Sequence, residues 1–165
     1  METIGNLAIA RLTSEDEARA CAQMMSTSEP WITLGRSFEQ SLRIIQDPTR
    51  EVYVARNEGR IAGFLILCMT GAFVGYIQTV CVDPELRDRG LGTRLVRFAE
   101  ERIFGECPNI FMCVSSFNTE AKRLYLRLGY EVVGELRDYI VAGHSEILLR
   151  KTTGPLAGPE QGQGG

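Results

Sequence analysis

The stretch from Tyr76 to Phe104 constrains this chain more than any other part of it. Ile77 to Val82 is apolar and rich in β-branched residues, and reads as a buried strand. Asp83-Pro84-Glu85 ends it, because Pro84 has no N–H to give a ladder and Asp favours turns. From Leu91 onward Leu95, Phe98, Ala99 and Ile103 recur at helical spacing, so a helix follows. Between strand and helix stand Arg87-Asp88-Arg89-Gly90-Leu91-Gly92-Thr93. Two glycines let the backbone approach a ligand closely, and the helix start turns its free N–H groups and positive dipole end into the loop. Arg87, Arg89 and Arg94 add formal charge. The loop reads as an anion cradle with pyrophosphate as its natural guest, the alternative being a merely glycine-rich helix start.

Two better-known phosphate loops do not fit. A P-loop needs Gly-x-x-x-x-Gly-Lys-Ser/Thr, which is absent. A dinucleotide fingerprint needs a third Gly or Ala where Leu95 stands.

Around this stretch the pattern predicts a first strand over Leu7 to Arg11, and a helix opened by Thr13-Ser14 with Glu17 as a capping box. Pro30 breaks that helix, and a second spans Ser37 to Gln46. Glu51 to Arg56, Ile61 to Met69 and Phe73 to Val82 read as three strands of an antiparallel meander. After the glycine-loop helix come a strand over Asn109 to Ser115, parallel to the one before that helix, and a helix over about Thr119 to Leu128, capped by Asn118 and closed by Gly129. A last hairpin joins Glu131 to Tyr139 with Ser145 to Lys151. The expected class is α+β: a single mixed, mainly antiparallel sheet flanked by four helices, in one domain over residues 1–152. Residues 153–165 are Gly, Pro and Gln-rich and predict a disordered tail.

The loop, read Arg-x-x-Gly-x-Gly, and this order of elements resemble the GNAT superfamily of N-acetyltransferases along nearly the whole predicted domain. A second match agrees: Asn118-Thr119-Glu120-Ala121 through Tyr125 and Gly129-Tyr130 is similar to the family pattern Asn-x-x-Ala-x-x-x-Tyr…Gly-Phe/Tyr. Seven residues is about two helical turns, so Asn118 and Tyr125 share a face. The plainer alternative is that Asn118 only caps and Tyr125 only packs.

The resemblance implies acetyl transfer from acetyl-CoA to a primary amine, directly in a ternary complex. Arg87, Asp88, Arg89, Gly90, Leu91, Gly92 and Thr93 would hold the pyrophosphate. Val80, Cys81 and Val82 would carry pantetheine along an edge where two strands splay, with a backbone N–H polarising the thioester carbonyl. Asn118 would support the arm, and Tyr125 would protonate the leaving thiolate. A Tyr of pKa about 10 suits a thiolate of similar basicity. A covalent route through Cys81 or Cys113 is the rival.

The general base is the gap. Many family members carry a Glu where Tyr76 stands, and those acetylating ribosomal-protein N-termini carry one where Cys113 stands. A water held by Tyr76, Gln78 or backbone, or a carboxylate of the last hairpin (Asp138 or Glu146), would have to serve. An α-amine, of pKa roughly 7.7 to 8, needs less help than a lysine of about 10.4. The family fold implies an acceptor pocket built from Pro30-Trp31-Ile32, Phe38 and Tyr139, with Tyr76 and Gln78 of the preceding strand also on the substrate side, unless Trp31 only lids the core.

The acceptor is expected to be a protein N-terminus, a lysine or a small-molecule amine. A non-catalytic acyl-CoA-binding module is the reading from another class, and the resemblance also admits a homodimer. A net charge of −3 gives no reason to expect nucleic acid or anionic membrane. Five cysteines without a Cys-x-x-Cys pair and one His without a ligand-spaced partner predict a reduced, cytoplasmic protein without metal. No apolar run reaches membrane-spanning length, and the first residues do not read as a signal peptide.

Overall fold

In the computed structural model, which describes residues 6–157, seven strands form one sheet in the order β1-β2-β3-β4-β5-β7-β6. The strands are β1 (Leu7–Arg11), β2 (Arg50–Asn57), β3 (Arg60–Cys68), β4 (Tyr76–Val82), β5 (Asn109–Ser115), β6 (Glu131–Leu136) and β7 (Glu146–Thr152). All neighbours are antiparallel except β4 and β5. Four helices flank the sheet: α1 (Glu15–Ser26), α2 (Phe38–Ile45), α3 (Leu91–Phe104) and α4 (Thr119–Arg127).

Both faces of the central strands are covered, which is why β3 reads as an unbroken apolar run. Phe64 and Ile66 pack with Val52, Val54 and the α1 residues Cys21, Ala22 and Met25. Leu65 and Leu67, one position along, pack with Leu91, Leu95, Ala99 and Ile103 of α3. Each such fully buried side chain contributes about 1.5–3 kcal/mol of transfer free energy.

Ser14 accepts the Glu17 N–H at 3.1 Å, as an N-cap should. The box is not reciprocal, however: the Glu17 carboxylate turns to the Thr13 N–H and hydroxyl and to Arg56 of β2. The reciprocal box stands at α2, where Ser37 and Gln40 exchange bonds of 3.1 Å.

The third meander strand begins at Tyr76, not Phe73. Gly75 holds φ +87°, and a Cβ there would stand 2.5 Å from Asn109 O, so the chain turns tightly before β4 starts. The last hairpin is shorter than expected for the same reason: Asp138, at φ +52°, bonds the Gly143 N–H at 2.7 Å and closes a turn from residue 137. Of the expected tail, residues 158–165 lie outside the described residues. Thr153 at its start donates its N–H to Pro108 O at 2.8 Å.

Candidate active site

β4 and β5 meet only at Tyr76↔Phe111 and Ile77↔Met112. Beyond these two pairs they separate. The cause sits on the other edge of β4: pairing with β3 passes from Leu67↔Ile77 to Ile66↔Thr79, leaving Gln78 as an extra, bulged residue. A bulge bends its strand and re-aims its side chains. Ile77 therefore enters the core under α3, while Cys81 enters the core under α1. Simple alternation expects Tyr76 and Gln78 on one face; the bulge breaks that alternation, although both still border the same cavity.

The Asp83 N–H bonds Ala62 O at 2.9 Å. Antiparallel alternation then directs the Cys81 N–H to β3 and leaves those of Val80 and Val82 on the open side of the gap. Cys81 contributes only backbone there, because its side chain is buried beside Cys21.

β4 runs through a 3-10 turn (Pro84–Leu86) into the glycine loop. Asp88 (φ +63°) and Gly90 (φ +79°) are both left-handed, and no side chain caps α3. The first intrahelical bond is Arg94 N–H to Gly90 O at 3.1 Å, so the N–H groups of Leu91, Gly92 and Thr93 have no helical partner. Arg87 and Arg89 are exposed, whereas the Leu91 side chain is buried. A Cβ on Gly92 would meet only Leu124, at an ordinary 3.5 Å. The protein's own packing does not require glycine at 92; a ligand lying against the helix start would.

Where the strands separate, a cavity of about 610 Å³ opens. Val80 and Gln78 of β4, Cys113 and Ser115 of β5, Asn118 just before α4 and Tyr125 within it border the cavity. Trp31, from the loop after α1, and Tyr139, from the last turn, border it too. Pro30, Trp31, Tyr76, Gln78 and Tyr139 are thus brought together with Asn118 and Tyr125, while Ile32, which is exposed, Phe38, which packs on the core under α1, and the loop from Arg87 to Thr93 do not border the cavity. Asn118 also caps α4, its Oδ1 accepting the Ala121 N–H at 3.4 Å.

Burial pushes the Tyr125 hydroxyl up to about 12. Burial, then the neighbouring Cys113 thiol, raises Tyr76 well above the usual phenol range. Cys113 is itself raised by burial, so neither group at the two family glutamate positions is charged at neutral pH. Gln78 is not free to hold a water with its carbonyl. Its Oε1 accepts from Arg50 Nε and from Cys68 Sγ, and Arg50 is also paired with Asp47.

Sequence reasoning left Asp138 and Glu146 level as carboxylates of the last hairpin. Asp138 is spent on its turn and does not reach the cavity, whereas Glu146 borders it, 5% exposed. Ser115, its partner across β5 and β7, was not foreseen, because strand pairing cannot be read from either segment alone. His144 packs edge-on against Phe117 at 4.9 Å and does not border the cavity. Among the described residues no group of three His, Cys, Asp or Glu could hold a metal, and no helix is long and apolar enough to cross a membrane.

A seven-stranded mixed sheet with four helices and one splayed parallel pair defines an acetyltransferase fold. The acetyltransferase (GNAT) family profile matches residues 16–130, and the chain belongs to that family. An uncharacterized N-acetyltransferase of Methanocaldococcus jannaschii is 33% identical over 109 residues, 65% of this chain and 69% of the relative. The N-alpha-acetyltransferase RimI of Mycobacterium tuberculosis is 28% identical over 156 residues, 92% and 93% of the two chains. The crystal structure of an aminoglycoside 6'-N-acetyltransferase complexed with coenzyme A superposes with a TM-score of 0.72 at 16% identity, covering 90% of this chain and 98% of that one. The chain is an N-acetyltransferase enzyme.

Proposed function

We propose that this enzyme moves an acetyl group from acetyl-CoA to a primary amine by direct transfer, with donor and acceptor bound together. The observation that carries this reading is the gap between β4 and β5, bordered on one side by unpaired N–H groups and on the other by Tyr125. The donor supplies an activated acetyl thioester; every other part belongs to the chain. The free N–H groups at the start of α3, with Arg87 and Arg89, bind the pyrophosphate. Val80 and Val82 pair with the pantetheine amides as a neighbouring strand would and polarise the thioester carbonyl. Asn118 steadies the arm.

Tyr125 protonates the departing thiolate. Its raised pKa does not spoil the match, because a thiolate formed in the same dry cavity is raised by the same loss of water. Direct transfer is favoured over a covalent route because the cysteines near the gap are poor nucleophiles. Cys81 faces the other core, and burial, with the nearby Glu146 charge, raises the Cys113 thiol so that it keeps its proton. Five free cysteines fit work in the reducing cytoplasm.

The reading is tested by incubating the protein with acetyl-CoA and a panel of peptides, lysine derivatives, polyamines and aminoglycosides, and following free thiol. Amine-dependent thiol release supports it. Tight CoA binding with no release for any amine would overturn it.

A further inference from the structure

Glu146 is nearly enclosed, and its Oε2 has no hydrogen-bond partner among the described residues. Directly opposite it in the β5–β7 register stands Ser115, whose Oγ is also buried and unpartnered. The hydroxyl is close enough to ease the carboxylate's charge, yet outside hydrogen-bond geometry. Both residues border the cavity that holds Tyr125. The Ser115 hydroxyl has one proton to give and can satisfy at most one carboxylate oxygen; an ammonium, with three donors, can complete the rest.

The groups facing Glu146 are few. Tyr76 from β4 and Cys113 from β5 are neutral, and Leu136, its partner on β6, is apolar. Arg36, from the loop before α2, is the one cation whose charge reaches it, and the pair is not in salt-bridge contact. Arg50, also on the cavity, is occupied by Asp47 and Gln78.

Arg36 belongs to a second feature as well. A groove of about 390 Å³ shares Leu34, Arg36 and Ile140 with the cavity and continues outward past Gln40 and Arg43. Arg11, Arg19, Arg50, Arg56, Arg60, Arg97 and Arg102 sit in ion pairs, but no salt bridge is found for Arg36 or Arg43 among the described residues. In a chain of net charge −3, two guanidiniums without a salt bridge among the described residues, both lining one groove that leads out of the cavity, attract an anion there.

We propose, on the transferase reading above, that the acceptor is a primary amine whose remainder is anionic: its ammonium meets Glu146, which takes one proton, and its negative group lies on Arg36 and Arg43. A polyamine or aminoglycoside would instead place its further ammonium groups against those arginines. The step balances without a further reactant. Glu146 removes one proton from the ammonium, and the freed nitrogen pair forms the C–N bond. The C–S bond breaks with its electrons on sulfur, which takes the Tyr125 proton. Tyr125 recovers the second proton from the new amide nitrogen, and Glu146 releases its own to solvent.

The test compares acceptors that share one amine and differ in charge: peptides beginning Ala-Asp-Asp, Ala-Gly-Gly and Ala-Lys-Lys, with free glutamate and spermidine as small-molecule arms. Thiol release gives kcat/KM for each. The acidic peptide or glutamate should exceed the neutral peptide by roughly tenfold and the basic one by more, and whichever arm leads tells peptide from free amino acid. Arg43→Glu, on the exposed face of α2, should reverse the order of acidic and basic peptides. Glu146→Gln should lower kcat at least tenfold and remove the acid limb of its pH profile. Equal rates across charges, a lead for spermidine or the basic peptide, or an order unmoved by Arg43→Glu would overturn the proposal and leave the transferase standing. No amine reacting at all would overturn both.

Discussion

Lys151 Nζ lies 2.8 Å from Glu100 Oε2, so β7 is tied to the middle of α3 through the core. Glu100 is 5% exposed and also meets Arg97 at 2.7 Å and the Tyr130 hydroxyl at 3.2 Å. Removing that carboxylate leaves a partly buried ammonium with the Leu128 carbonyl at 2.8 Å and the Tyr130 ring face at 5.7 Å, but no counter-charge in contact with it among the described residues. Glu100→Ala should cost about 3 kcal/mol. Urea unfolding should show a lower midpoint at unchanged slope.

Glu146 makes the opposite prediction. Burial raises its carboxyl above 4.5, so the folded chain holds this proton more tightly than the unfolded one. Stability therefore declines as pH climbs from 4.5 through the raised folded value, and is unaffected by this group below that window. Glu146→Gln should match the wild type in acid and exceed it at neutral pH by about 1 kcal/mol, the scale of one relieved buried polar group. Melting temperatures across pH measure this; a variant less stable than wild type at neutral pH would contradict it.

The two loop glycines should separate. Gly90→Ala places a side chain at φ +79° and should cost about 1 kcal/mol. Gly92→Ala meets only ordinary contact and should leave stability unchanged or up to about 1 kcal/mol higher. Its CoA dissociation constant, measured by calorimetry, should nonetheless rise by about tenfold, or about 1.4 kcal/mol.

Tyr125→Phe should reduce kcat by roughly a hundredfold or more with CoA affinity preserved. Because the hydroxyl is pushed up to about 12, it keeps its proton throughout ordinary assays. A wild-type kcat that fell between roughly pH 8 and 10 would argue against its role as the acid.

Much of this was legible in the chain because it is local. The order of elements follows from periodicity and turn residues, and the glycine loop that opens α3 from glycine spacing between a strand and a helix. What was not legible depends on partners distant in sequence. The bulge at Gln78 exists only in relation to Ile66 and Leu67 of β3. β7 inserts between β5 and β6, which sets Glu146 opposite Ser115 rather than in a free turn. Gln78 looked available for a water until Arg50, 28 residues earlier, was found on its carbonyl. Phe73 to Gly75 matched a strand in composition, but the close approach of Asn109 O at Gly75 is invisible from within that segment.

The two-pair seam between β4 and β5 divides the sheet into a four-stranded and a three-stranded half. Across most of that seam neither half supplies the other's hydrogen bonds, so a donor bound as proposed would act as the missing strand. Folding free energy is then linked to donor concentration, rising by about 1.4 kcal/mol for each tenfold excess over the dissociation constant. The amides of Val80 and Val82 should exchange with solvent quickly in the free enzyme and become protected as donor is added. The persistence of the folded enzyme would in that way follow the supply of its own substrate.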